Sequence, residues 1–88
     1  MGMIKMEVQL SPKAAKYLSS MNQPDKGRII KALEKLQKEP PQGDIRMLSG
    51  KDGFRLRVGG YRVLFDVTES SVDVYAIAPR GQAYKGGF

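Results

Sequence analysis

The stretch from Phe54 to Val67 leaves the chain little conformational freedom. Phe54, Leu56 and Val58 alternate with Arg55 and Arg57; Gly59-Gly60 follows; then Tyr61, Val63, Phe65 and Val67 alternate with Arg62, Leu64 and Asp66. Period-two alternation sends successive side chains to opposite faces of a strand. A two-residue Gly-Gly loop joins two such strands as an antiparallel hairpin. If these glycines are the whole loop, Val58 pairs with Tyr61, Arg57 with Arg62, Leu56 with Val63 and Arg55 with Leu64. One face then carries Phe54, Leu56, Val58, Tyr61, Val63 and Phe65 and has to be covered. The other carries Arg55, Arg57 and Arg62, pointing away from the core into the open side of the sheet.

The N-terminal half supplies the cover. Ile4, Met6, Val8 and Leu10 alternate with Lys5, Glu7 and Gln9, which predicts a first strand. Ser11 is suited to cap a helix and Pro12 to its first position. Ala14, Ala15, Leu18 and Met21 give the apolar stripe of that helix. Asn22-Gln23-Pro24-Asp25 breaks it, with Asp25 expected to cap a second helix. Ile29, Ile30, Leu33 and Leu36 form the second stripe, and Lys26, Arg28, Lys31, Lys35 and Lys38 lie mostly on the other faces. Pro40-Pro41 ends it. After the helices, Arg46 to Gly50 is a weak strand, Thr68 to Ser71 a turn and Val72 to Ala78 a last strand. The expected fold class is α+β: a helical hairpin packed on one face of an antiparallel sheet, as a single domain over residues 1–88.

Two absences narrow the chemistry. With no histidine among 88 residues, the commonest general base and the commonest metal ligand are both missing. With no cysteine there is neither a disulfide nor a thiolate nucleophile. The carboxylates are few and scattered, so no metal or other cofactor is expected. The glycines match no phosphate-cradling motif and read as turn residues. The net charge of +6 points instead to a polyanionic partner. No apolar run approaches the roughly 20 residues of a membrane span, and the N-terminus lacks a signal-peptide core. A cytoplasmic location is the expectation.

Arg55, Arg57 and Arg62 converging on one hairpin face form an anion site, because guanidinium groups offer forked donors matched to phosphate and keep their charge near neutral pH. Arg80 follows the last strand and is expected at the rim of the same sheet. Tyr84 is suited to stack on a base or donate its hydroxyl. Arg46, Lys51 and Lys85 are expected to help hold the substrate. The competing view is that these arginines are a solvated strand face and Tyr84 a terminal aromatic over the core edge.

The run Gly53-Phe54-Arg55-Leu56-Arg57-Val58-Gly59-Gly60-Tyr61-Arg62-Val63-Leu64-Phe65 resembles the central hairpin of the RelE/ParE toxin superfamily. Ser11-Pro12-Lys13-Ala14 is similar to the start of its first helix, and Pro40-Pro41-Gln42-Gly43-Asp44 to the loop after its helices. Met47-Leu48-Ser49-Gly50 resembles its next short strand. Ile77-Ala78-Pro79-Arg80-Gly81-Gln82-Ala83-Tyr84 resembles the tail of RelE-type members. The resemblance implies a microbial RNase fold and the toxin of a type II toxin–antitoxin system. Such toxins enter the ribosomal A site and cut mRNA without a metal, by attack of the 2′-hydroxyl on the adjacent phosphate. Carried over by position, Arg62 stabilises the transition state, Arg80 stands at the leaving-group side, and Tyr84 stacks on and orients the base. Arg55 and Arg57 occupy places held by lysines in the best-known members. Because arginine is too basic to accept a proton, the general base stays open among Lys51, Lys85 and Tyr84. Implied partners are a cognate antitoxin, mRNA on the ribosome and ribosomal RNA, in a toxin–antitoxin hetero-oligomer. The alternatives are a ParE-like poison of DNA gyrase and a non-catalytic ribosome- or nucleic-acid-binding module.

Overall fold

A computed structural model of the chain describes residues 7–38, 41–48 and 53–79. In chain order these form β1 (Glu7–Leu10), α1 (Pro12–Ser20), α2 (Asp25–Leu36), β2 (Asp44–Met47), β3 (Phe54–Val58), β4 (Tyr61–Val67) and β5 (Ser71–Pro79). The strands make one five-stranded sheet in the order β1-β5-β4-β3-β2. The pairs β2–β3, β3–β4 and β4–β5 are antiparallel. β1 departs from the expected antiparallel arrangement: it lies parallel to β5, with Glu7 opposite Ser71 and Leu10 opposite Val74. The sheet is therefore mixed. β1 and β5 are the first and last strands, joined by all the elements between them and not by a tight turn, so their connection leaves a parallel pairing open.

Both helices pack on the same face. Ala14 and Leu18 from α1 and Ile29, Leu33 and Leu36 from α2 close over Leu56, Val63, Phe65, Val72, Val74 and Ile77. Phe54 stacks on Phe65 with ring centroids 5.6 Å apart. Two residues assigned to the stripes lie outside them: Ala15 is exposed, and Ile30 is 38% exposed. Ser11 caps α1, accepting the Ala14 N–H at 3.1 Å. Asp25 does not cap α2; it is the first helical residue, Pro24 holds the cap position, and the Gln23 side chain accepts the Gly27 N–H at 2.9 Å in the first turn. The Asp25 carboxylate instead accepts the Tyr61 hydroxyl at 3.2 Å, tying the start of α2 to the start of β4. α2 ends at Leu36, ahead of the prolines.

The hairpin has the register read from its glycines. Val58 faces Tyr61, Arg57 faces Arg62, Leu56 faces Val63 and Arg55 faces Leu64. Gly59 has φ +56° while Gly60 is not in the positive region, the pattern of a II′ turn with glycine first. β2 spans Asp44–Met47, starting before the expected Arg46 and ending before Gly50. Between β4 and β5 the register slips at Leu64/Phe65, so that Tyr75 bulges out of the ladder. That bulge reverses the alternation of β5. Val72, Val74 and Ile77 face the helices, whereas Ala76 and Ala78 join Leu48 and Leu64 in a smaller cluster on the opposite face, with Tyr75 packed against it.

Candidate functional site

The face of the sheet away from the helices carries two transverse rows. In one, Asp44, Arg57, Arg62 and Ala78 stand side by side on β2, β3, β4 and β5; in the next, Arg46, Arg55, Leu64 and Ala76 do the same. Directly opposed residues have Cβ atoms roughly 4.5–5.5 Å apart. The described part of the predicted site, Arg46, Arg55, Arg57 and Arg62, is thus gathered into one patch. Arg80, Tyr84, Lys51 and Lys85 fall outside the described residues.

The patch is not uniformly solvated. The Arg57 side chain is 39% exposed and that of Arg46 69%, but Arg62 is buried, at 6%. This corrects the expectation that all three hairpin arginines point into open space. Arg62 and Arg55 both engage further interactions, and the Nε of each is buried. Asp44 lies 4.0 Å from Arg57 and 3.9 Å from Arg46 and is itself half exposed, so it offsets the positive charge only weakly.

The β5 bulge sets what stands beside Arg62. Unbroken alternation from Val72 would send Ala76 to the core and Ile77 to the arginine face. The extra residue puts Ala78 beside Arg62 and Ala76 beside Leu64 instead. Ala76, Ala78 and Leu64 are themselves buried, so Arg62 stands among low-dielectric walls that strengthen its field. The bulge has no signature in the sequence, so sequence reasoning missed both alanines and the placement of Tyr75. Burial, followed by the nearby Asp66 charge, raises the Tyr75 hydroxyl above the usual tyrosine range; it stays neutral and protonated near neutral pH.

Chemically the patch can bind a phosphodiester and stabilise charge that builds up on it. It cannot remove a proton, since guanidinium keeps its own. Among the described residues no group of three or more acidic side chains is arranged to hold a metal ion.

The fold and this face together define a class: a small α+β domain with both helices on one side of its sheet and a cluster of arginines on the other. Within that class the chain belongs to the family of ParE toxins of type II toxin–antitoxin systems, whose model matches residues 8–84. It is a toxin of the RelE/ParE superfamily. Its fold is shared with the toxin in the archaeal RelE–RelB complex from Pyrococcus horikoshii OT3, which is 26% identical, with a TM-score of 0.75 over 89% of this chain and 98% of that one. The RelBE2 toxin–antitoxin complex from Mycobacterium tuberculosis contains a chain 16% identical, at a TM-score of 0.74 over 88% of this chain and 100% of that one. The RelB–RelE complex from Methanococcus jannaschii contains one 21% identical, at 0.71 over 86% and 94%. No curated protein matches the sequence.

Proposed function

We propose that this toxin is a ribosome-dependent endoribonuclease that cuts mRNA in the A site. The observation that carries the reading is the buried Arg62 standing in register with Arg57 and beside Ala78. The RNA supplies the nucleophile. Its 2′-hydroxyl gives up a proton, the 2′-oxygen bonds to phosphorus, the P–O5′ bond breaks, and the departing 5′-oxygen takes a proton. The products are a 2′,3′-cyclic phosphate and a 5′-hydroxyl. Arg62 stabilises the negative charge of the pentacoordinate state, and Arg57 and Arg55 hold the scissile phosphate. Arg80 attends the leaving oxygen, and Tyr84 stacks on the base. Arg46, Lys51 and Lys85 bind the flanking backbone. The proton acceptor is Lys51, Lys85 or Tyr84, and no metal takes part.

The partner is an antitoxin. The P. horikoshii and M. jannaschii structures are both complexes of RelE with RelB, and an acidic antitoxin suits a chain with net charge +6. The toxin acts in the cytoplasm as one domain; no described helix is long and apolar enough to cross a membrane.

Primer extension on mRNA from translating ribosomes is the test. The wild type should produce discrete 5′ ends within codons, and Arg62→Ala should remove them while ribosome binding persists. The matching family model carries the ParE name, which favours a second reading, poisoning of DNA gyrase. That reading gains if mRNA stays intact while cleaved DNA–gyrase complexes accumulate. Growth unaffected by the free toxin would sink both.

A further inference from the structure

The arginine patch does not end at the sheet. On the helix side of β3, next to the start of β2, lies a cleft of about 280 Å³. Arg28, Lys31 and Lys35 line it from α2, and Arg57 borders it from β3. Positions 28, 31 and 35 follow the three- and four-residue spacing that places side chains on one side of a helix, about 5–6 Å apart. One carboxylate, Asp44, belongs to the lining, 4.0 Å from Arg57, and Asp25 stands outside it, 3.8 Å from Arg28; both are partly exposed. Exposed pairs of that length neutralise little. Glu34, the other acid of α2, is not part of the lining. Leu56 and Val58 form part of the floor, so the cations line a recess.

We propose that this cleft is a second RNA-backbone site, taking a phosphodiester strand that runs on from the arginine patch around the β2 edge of the sheet. Arg57 is the link, since it faces Arg62 across the hairpin and also lines the cleft. A strand gripped at Arg62 passes Arg57 and meets Lys31 and Lys35 next. The cleft holds RNA by charge, without reading its sequence. The choice of RNA as the polyanion rests on the nuclease reading above.

The test uses full-length toxin and a fluorescent 20-nucleotide RNA, 2′-O-methylated throughout so that it cannot be cut, titrated at several chloride concentrations. Lys31→Gln/Lys35→Gln should weaken binding about tenfold at low salt and flatten the slope of log K against log salt by about 1.4, at roughly 0.7 per lost phosphate contact. Lys13→Gln/Lys16→Gln removes the same charge from α1 and should stay within about twofold of wild type, because the loss is local rather than a change in overall field. Equal losses from both pairs, or wild-type affinity in Lys31→Gln/Lys35→Gln, would overturn the proposal. So would a variant that keeps RNA but loses poly-L-glutamate, which assigns the cleft to an acidic protein. Primer extension is scored separately. A wild type that shows this binding pattern and never cuts removes the nuclease reading and leaves the cleft; cutting without the pattern removes the cleft alone.

Discussion

Arg57 and Arg62 sit in a position that stability alone would not choose. Two like charges directly opposed in an antiparallel pair repel, and one of them is buried. The Arg57–Asp44 contact, at 4.0 Å between half-exposed groups, returns little. Arg57→Gln should therefore leave the fold as stable as wild type or raise it by about 0.2–1 kcal/mol, measured by urea unfolding. Cleavage should fall about 10²-fold or more, as expected when one charge-stabilising donor is removed. A variant that loses stability along with activity would show that Arg57 is structural. A second contact separates local chemistry from the site. Burial first, then the hydrogen bond to Asp25 and the Asp25 charge, raise the Tyr61 hydroxyl above the usual tyrosine range. A group whose folded pKa is raised contributes stability below its unfolded value and loses it as pH climbs through the folded one. Urea midpoints of wild type and Tyr61→Phe should differ at neutral pH and converge above about pH 10; a gap that persists there excludes the hydroxyl as its source. The pairing of Arg57 with Arg62 was legible because a two-residue loop fixes register. The Asp25–Tyr61 contact was not, because it joins residues 36 apart in sequence and local spacing is silent on it.

At the scale of elements, what could be read was what local chemistry determines. Gly59-Gly60 set the hairpin, and Ser11-Pro12 set the start of α1. Each makes a quantitative prediction. Gly59 holds φ +56°, and a Cβ there would meet nothing within 4 Å, so Gly59→Ala carries a backbone cost alone, about 1–2 kcal/mol. Gly60→Ala meets no neighbour within 4 Å either and has no positive φ to strain; it should be neutral or stabilising by about 0.4–1 kcal/mol. Equal effects at both positions would contradict a II′ turn. Ser11 accepts the Ala14 N–H and also donates to the Tyr75 carbonyl at 3.4 Å, so it joins the helix start to the bulged strand. Ser11→Ala should cost about 1 kcal/mol, lowering the melting temperature by about 4–8 °C. The β5 bulge and the parallel β1–β5 pairing went unread for a common reason. Both are settled by which distant strand lies alongside, and the alternation in Val72–Ala78 gives no sign that its phase reverses partway.

For the molecule as a whole, charge and fold pull in opposite directions. A net +6 on 88 residues opposes compaction through self-repulsion, and burial is limited in a domain this small. The described ion pairs do not relieve it, lying at 3.8–4.0 Å between exposed or half-exposed groups. The repulsion is also concentrated, since four arginines share one sheet face with Asp44 and the α2 lysines continue the field around the β2 edge. Alternation made the shared face of the hairpin arginines legible in the sequence; the cleft on α2 was not, because it forms only once β3 is laid against that helix. Salt should then act on folding and binding with opposite signs. Raising sodium chloride from about 0.01 to about 0.2 M shortens the screening length from about 30 Å to below 10 Å, so the free toxin should melt several degrees higher. Over the same range its affinity for RNA should fall steeply. Chloride is the right anion for the test, because sulfate strengthens apolar burial as well. A melting temperature that stays flat or drops with added chloride would mean that the cations are balanced within the fold, and it would remove the electrostatic reason for expecting an acidic partner to stabilise this chain.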